Sequence, residues 1–232
     1  MARTRRETVR QAVIQDIKAS ARQLMAEQGS AGLSLRAIAR RVDLTPSALY
    51  YYFDSLDALI TALIVDAFSD LASTLEIAGE TSPGSRYAER LTHVAHALRD
   101  WALAHPVDFQ LIYGNPIPGY QQPVEVTYPP ARRSFAVTAG LIAGAIASGE
   151  LDPLPEYIDL PAVFNEALAR LSQHQGHDLP PTALYLAAVA WARFHGFIML
   201  ELFNLIQPVI GDAGAFYDYE VQNMLMQMGF KQ

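Results

Sequence analysis

The residues of this chain best suited to chemistry are three tyrosines, several arginines and two small hydroxyls near the amino terminus. Tyr50, Tyr51 and Tyr52 are consecutive, Thr45 and Ser47 precede them, and Arg36, Arg40 and Arg41 lie just upstream. Guanidinium groups pair with phosphate, hydroxyls bond phosphate oxygens, and tyrosine rings touch sugars and thymine methyls. The set suits recognition of duplex DNA. Sets suited to catalysis are thinner. The chain has no cysteine, which excludes thiolate nucleophiles, thiolate metal sites and a disulfide framework, and fits a reducing cytosol. His93 and His96, like His174 and His177, are spaced i, i+3, which can bring two imidazoles to one metal. Neither pair has a third ligand in a recognisable pattern. No phosphate-cradling glycine loop, GxSxG elbow or HExxH helix occurs, so no metal and no cofactor is expected.

The elements that must position the tyrosines lie within 34–53, SLRAIARRVDLTPSALYYYF. This reads as two short helices joined by a tight turn. Leu35, Ile38, Ala39 and Val42 fall at i, i+3, i+4 and i+7, one apolar stripe, and leave Arg36, Arg40 and Arg41 on the other faces. Asp43 tolerates the left-handed conformation that the turn requires. Thr45 caps the second helix, with Pro46 at its first position. On that helix Leu49 and Phe53 share the inward face, while Ser47 and Tyr51 share another. Successive helical residues are about 100° apart, so at least one of the three tyrosines is exposed. Small residues at the helix start, Thr45, Ser47 and Ala48, let the backbone approach a groove, and its amides attract phosphate. The reading is a DNA-binding helix-turn-helix.

The stretch AIARRVDLTPSALYYYFDSLDALI resembles the tetracycline-repressor (TetR) family, in which a small-residue helix and a turn lead into a segment like LYYYF, a polar residue and a leucine-rich helix. The likeness covers about the first quarter of the chain. Asp43 stands where many members have Gly, and Leu56 where many have a phosphate-contacting lysine. Around Trp191, WARFHGFIMLE is similar to the carboxy-terminal regions of members that carry a Trp, a His and a Gly there. The resemblance implies a DNA-binding domain at 1–54, a helical ligand-binding and dimerisation domain at 55–232, and repression of an operator relieved by a small molecule.

The rest of the chain agrees with a two-part organisation. Its 232 residues and 51 % hydrophobic content are ample for a buried core. The net charge of −7 is unevenly spread: residues 1–53 hold nine cations against four carboxylates, and the remainder eight against twenty. Cations gathered at one end are an electrostatic footprint for phosphate. A basic arm at 1–10, running to Arg10, reads either as a DNA contact or as a solvated tail. Apolar periodicity predicts a bracing helix over about 7–28, a lever helix from Asp54 or Ser55 to about Gly79, and further helices to about Ala104, over 106–113, 131–149, 162–171, 182–209 and 214–228. A break is expected at 80–85, and a long ordered loop at 114–130. The Gly140–Gly144 spacing predicts close helix packing, and the apolar run around it is too short for a membrane span. No repeat or sheet-forming run appears, so the fold class is all-α.

Trp101, Phe109, Tyr113 and Phe135 lie on segments that can converge, either as core or around a pocket for an apolar or aromatic ligand. His195 shares a stripe with Trp191 and reads as a hydrogen-bonded core histidine. The apolar helix 182–209 needs cover on most faces, which predicts a homodimer held by the last two helices, with Phe203 and Leu225 at the interface. The partners expected are thus an operator duplex, a small effector and a second copy of the chain, in the cytoplasm and without a membrane. Rival readings are an all-α enzyme with a metal at a histidine pair, and a helix-turn-helix that docks on another protein.

Overall fold

The structure is a computed structural model that describes residues 5–80, 86–175 and 179–231. Residues 1–4 of the basic arm, 81–85 of the expected break and the side chains of the His174 and His177 pair lie outside them. The regular structure is α1 Arg5–Gln28, α2 Leu35–Arg41, α3 Pro46–Tyr50, α4 Leu56–Glu80, α5 Tyr87–Ala104, α6 Pro106–Tyr113, α7 Val124–Ser148, α8 Pro155–Ile158, α9 Ala162–Gln175, α10 Pro181–Leu202, α11 Gln207–Ile210 and α12 Ala213–Met228, with a 3-10 turn at Ser30–Gly32. Among the described residues the only β pairing is an isolated bridge between Leu151 and Phe230. The fold is all-α. Two compact units divide it, Met1–Phe68 with His105–Tyr128, and Ser69–Ala104 with Pro129–Gln232.

In the first unit α1 packs on α2, and α2 on α3. Ile17, Ala21 and Leu24 of α1, Ile38 and Ala39 of α2, and Leu49 of α3 are buried. Gly29, at φ 70°, ends α1 in the left-handed region that glycine enters without steric cost. Two ion pairs brace α1 within this unit. Lys18 Nζ donates to Asp66 at 2.6 Å, and Arg22 Nε donates to both Asp108 oxygens at 2.7 and 3.0 Å. Ser55 Oγ accepts from the Ala58 amide at 3.0 Å and so caps α4.

The expected loop at 114–130 is shorter than its composition suggests, because α7 begins at Val124 and contains Pro129 and Pro130. The Pro123 carbonyl accepts from the amides of Val126 and Thr127 and from Thr127 Oγ1, which starts the helix. The two prolines then remove the amides that would bond Glu125 and Val126. Both of those residues are exposed, so water can serve their carbonyls. The remaining loop is held by Tyr120, whose hydroxyl lies 2.9 Å from Thr61 Oγ1.

The second unit is a layer of helices around Leu98, Trp101, Ile142, Leu184, Ile198 and Tyr217. The Tyr217 hydroxyl donates to the Ala95 carbonyl at 2.8 Å, and burial raises its pKa. Arg99 makes a two-pronged pair with Glu201 at 2.8 and 2.6 Å, and Arg193 of α10 pairs with Glu220 and with Gln227 of α12. The Gly140–Gly144 spacing is used at one of its two positions. A Cβ on Gly144 would fall 2.5 Å from the Tyr87 ring, whereas one on Gly140 would meet nothing within 4 Å.

The helix expected over 182–209 stops at Leu202. Asn204 adopts φ 54°, with its amide bonded to the Glu201 carbonyl at 2.9 Å and the Leu205 amide to Leu200 at 2.8 Å. That pair of bonds is the Schellman ending, and Asn enters its left-handed position more readily than most residues. Leu225, expected at a subunit interface, is only 5 % exposed in the single chain. It is a core residue, because α12 turns the face of Tyr217, Val221, Met224, Leu225 and Met228 inward. Phe203, by contrast, is 51 % exposed. It continues an exposed stripe of α10 formed by Ala192, Gly196 and Leu200, while α12 exposes Ala215, Tyr219, Gln222 and Met226. Helices α4 and α10 are long and apolar enough to cross a membrane by length and composition, yet both contribute core residues here.

Candidate nucleic-acid interface

The helix-turn-helix is assembled by local signals. Ser34 Oγ accepts from the Ala37 amide at 3.2 Å to start α2. Asp43, at φ 52°, turns the chain, and Thr45 Oγ1 accepts from the Ala48 amide at 3.1 Å to start α3, with Pro46 at its first position. Leu49 and Phe53 point inward and are buried. The expectation that α3 continues to Phe53 is corrected. It ends at Tyr50, and Tyr51 and Tyr52 form a turn, because the amides of Tyr51 and Tyr52 tighten onto the Ala48 and Leu49 carbonyls at 3.2 and 2.9 Å.

This ending still presents the tyrosines. Tyr50 is 53 % exposed and Tyr51 is 64 % exposed, and Thr45 and Ser47 are exposed beside half-buried Ala48 and Tyr52. Tyr51 is not loose. Its ring meets Tyr52 edge-on at 5.3 Å, and the Arg10 guanidinium sits 6.0 Å from its centroid. Arg36 and Arg40 point to solvent on α2. Arg41 is committed elsewhere, since its guanidinium pairs with Glu27, with Nη1 at 3.1 Å, and holds that carboxylate below its ordinary pKa. A sequence reading centred on 34–53 misses the approach of α1 to this face. Arg5, Arg6, Val9 and Arg10 share a cleft of about 640 Å³ with Tyr51 and Tyr52. The available signal was the basic run ending at Arg10.

The aromatic set falls in two groups. Phe109 and Tyr113 belong to the first unit, with ring centroids 5.2 Å apart and Phe68 edge-on to Tyr113 at 5.8 Å. Trp101 and half-buried Phe135 belong to the second, where Trp101 Nε1 donates to Asp70 at 2.7 Å. His195 is buried, with Nδ1 2.7 Å from the Trp191 carbonyl and its ring 4.8 Å from the Trp191 ring. Burial pushes its pKa down to about 4, against the opposing pull of that carbonyl. The Nδ1 of His96 lies 3.6 Å from Asp218. Among the described residues no three His, Asp or Glu side chains gather as a metal site would require.

Comparison with known proteins gives the same picture over nearly the whole chain. Residues 17–63 match the model of tetR-family bacterial regulatory proteins, and residues 91–224 match that of tetracyclin repressor-like C-terminal domains. The HTH-type transcriptional regulator Rv1816 of Mycobacterium tuberculosis is 32 % identical over 219 residues, which are 94 % of this chain and 92 % of that protein. The crystal structure of SCO4313 is 34 % identical, with a TM-score of 0.77 over 96 % of this chain and 100 % of that one. FadR from Bacillus subtilis, solved in complex with stearoyl-CoA, shares the fold at 11 % identity, with a TM-score of 0.67 over 92 % of this chain and 98 % of its own. With a capped helix-turn-helix at one end and a matching helical domain over the rest, the chain belongs to the tetR family of DNA-binding transcriptional regulators.

Proposed function

We propose that this regulator is a cytoplasmic homodimeric repressor, with no catalytic activity, that reads a palindromic operator through residues 1–54 and is released by a small molecule bound within 55–232. The observation that carries the DNA-reading part is the exposure of Ser47, Tyr50 and Tyr51 around a helix start that Thr45 fixes, backed by buried Leu49 and Phe53. Arg36 supplies phosphate contact, and Ser47 and Tyr51 supply base contact. The exposed apolar stripe of α10, with Phe203 at its end, and the exposed Ala215, Tyr219 and Met226 of α12 support a two-fold interface. Ala192 and Gly196 are small enough to let two such helices approach closely.

The effector is an apolar or aromatic molecule with one or two polar groups. Abundant buried aromatic side chains support this. The acidic balance of the carboxy-terminal part disfavours strongly anionic ligands. Release follows by linkage. A ligand that binds better to a conformation with wrongly spaced readers weakens operator binding by the same differential free energy, and about 1–3 kcal/mol suffices for a switch. The test is operator affinity measured against a panel of fatty acyl and aromatic compounds. Loss of DNA binding with one class supports the reading, and indifference to the whole panel counts against it.

A further inference from the structure

A phosphate lying against Tyr51 and Tyr52 cannot be neutralised from the segment that carries them. Between Arg41 and Arg86 the sequence has no lysine or arginine, and it has seven carboxylates, with Asp54 and Asp57 nearest. Both of these aspartates are exposed, and Leu56, the first residue of α4, offers no charge. Upstream, Arg41 is held by Glu27. The cations that do reach the tyrosines come from the first two turns of α1, where Arg5, Arg6 and Arg10 are exposed and line one cleft with Tyr51 and Tyr52.

We infer that Arg5, Arg6 and Arg10 of α1 form a second contact to duplex DNA, a clasp on the sugar–phosphate backbone that flanks the base-reading residues Ser47 and Tyr51. This rests on the proposed DNA-reading function and assigns it a further site. The chemistry is that of backbone recognition. Three guanidiniums release counterions and fix register, and Arg10, 6.0 Å from the Tyr51 ring centroid, places the clasp beside the reader. The cleft of about 640 Å³ that they line together leaves room for a backbone segment against the arginines. The first turns of α1 thus serve the site directly as well as bracing the motif.

The experiment is binding of the full chain to a random-sequence 30-base-pair duplex, followed by fluorescence anisotropy over a series of salt concentrations. Each arginine that neutralises a phosphate contributes about 0.9 to the slope of log affinity against log salt. The triple variant Arg5→Ala, Arg6→Ala, Arg10→Ala should lose that amount for each arginine in each bound chain, with helical content and melting unchanged. The corresponding triple lysine variant should keep the wild-type slope. Lys231→Ala, which removes one charge from the other compact unit, should leave it unchanged. Arg10→Ala alone, with a loss of about one unit per chain, keeps the test open should the triple variant fold poorly. Steep wild-type binding with an unaltered slope in the alanine variants would overturn the clasp and leave the DNA reader standing. An equal loss in Lys231→Ala would also overturn it, as an effect of net charge alone. Absence of salt-dependent binding by the wild type would overturn both.

Discussion

At the scale of single residues, exposure and burial separate two kinds of side chain on one short motif. Ser47 and Tyr51 face solvent while Leu49 and Phe53 are in the core, so truncating the first pair should cost binding without costing the fold. Tyr51→Ala and Ser47→Ala are each expected to weaken selective DNA binding by about 1–3 kcal/mol, the worth of a good base contact, with unchanged circular dichroism. Wild-type affinity in both would remove this face as the reader. Arg36→Ala, by contrast, should weaken selective and random duplexes alike and flatten the salt slope by about one unit. A selective loss would instead make Arg36 a base contact. His195 gives a different kind of test. Its folded-state pKa is about 4 against an ordinary 6.5, so below pH 6.5 the unfolded chain takes up a proton that the folded chain refuses. Its contribution to stability is full above that pH and falls as the pH drops toward 4, at about 1.4 kcal/mol per unit. Urea titrations of His195→Asn should show a correspondingly shallower loss over that window than wild type, and equal losses would contradict the buried neutral imidazole.

At the scale of elements, what was legible in the sequence was whatever local chemistry decides. Thr45 with Pro46, Asp43 at the turn, and Pro106 and Gly114 around α6 are each a backbone preference expressed within a few residues. Other features escaped because longer-range or less common choices decide them. The end of α10 rests on Asn204 accepting a left-handed conformation that glycine usually fills, and apolar periodicity through Leu205 and Ile206 concealed it. The start of α7 overrides two prolines through bonds to Pro123, and the residues whose carbonyls they orphan, Glu125 and Val126, are exposed. The direction of Leu225 depends on which face of α12 meets the core, and a helix with apolar residues on several faces does not announce this. The candidate reader was legible for the same local reasons, while the approach of Arg10 to Tyr51 joins residues 41 positions apart and was not. The corrected facing of α12 alters the interface test. Phe203→Glu should give a folded chain of weakened self-association, whereas Leu225→Glu should lose several kcal/mol of stability by burying a charge. Sedimentation and thermal melting distinguish the two. A Phe203→Glu chain that is as dimeric as wild type would exclude this stripe from the interface.

At the scale of the whole molecule, charge is divided along the chain. Cations dominate residues 1–53 and carboxylates the remainder, so phosphate is drawn to one end and repelled by the other. A two-fold dimer would place two readers about one DNA turn apart, roughly 34–36 Å, or at an adjusted multiple of it. The operator should then be an imperfect palindrome, and every substitution that separates the chains should weaken selective binding along with them. The most direct test is selection of bound duplexes from a random-sequence library by the full-length protein, run in parallel with Tyr51→Ala and Ser47→Ala combined. The expected result is a single enriched palindrome with wild type and its loss in the double variant. No enrichment, or the same palindrome recovered by both proteins, would contradict the assignment of residues 45–52 as the DNA reader.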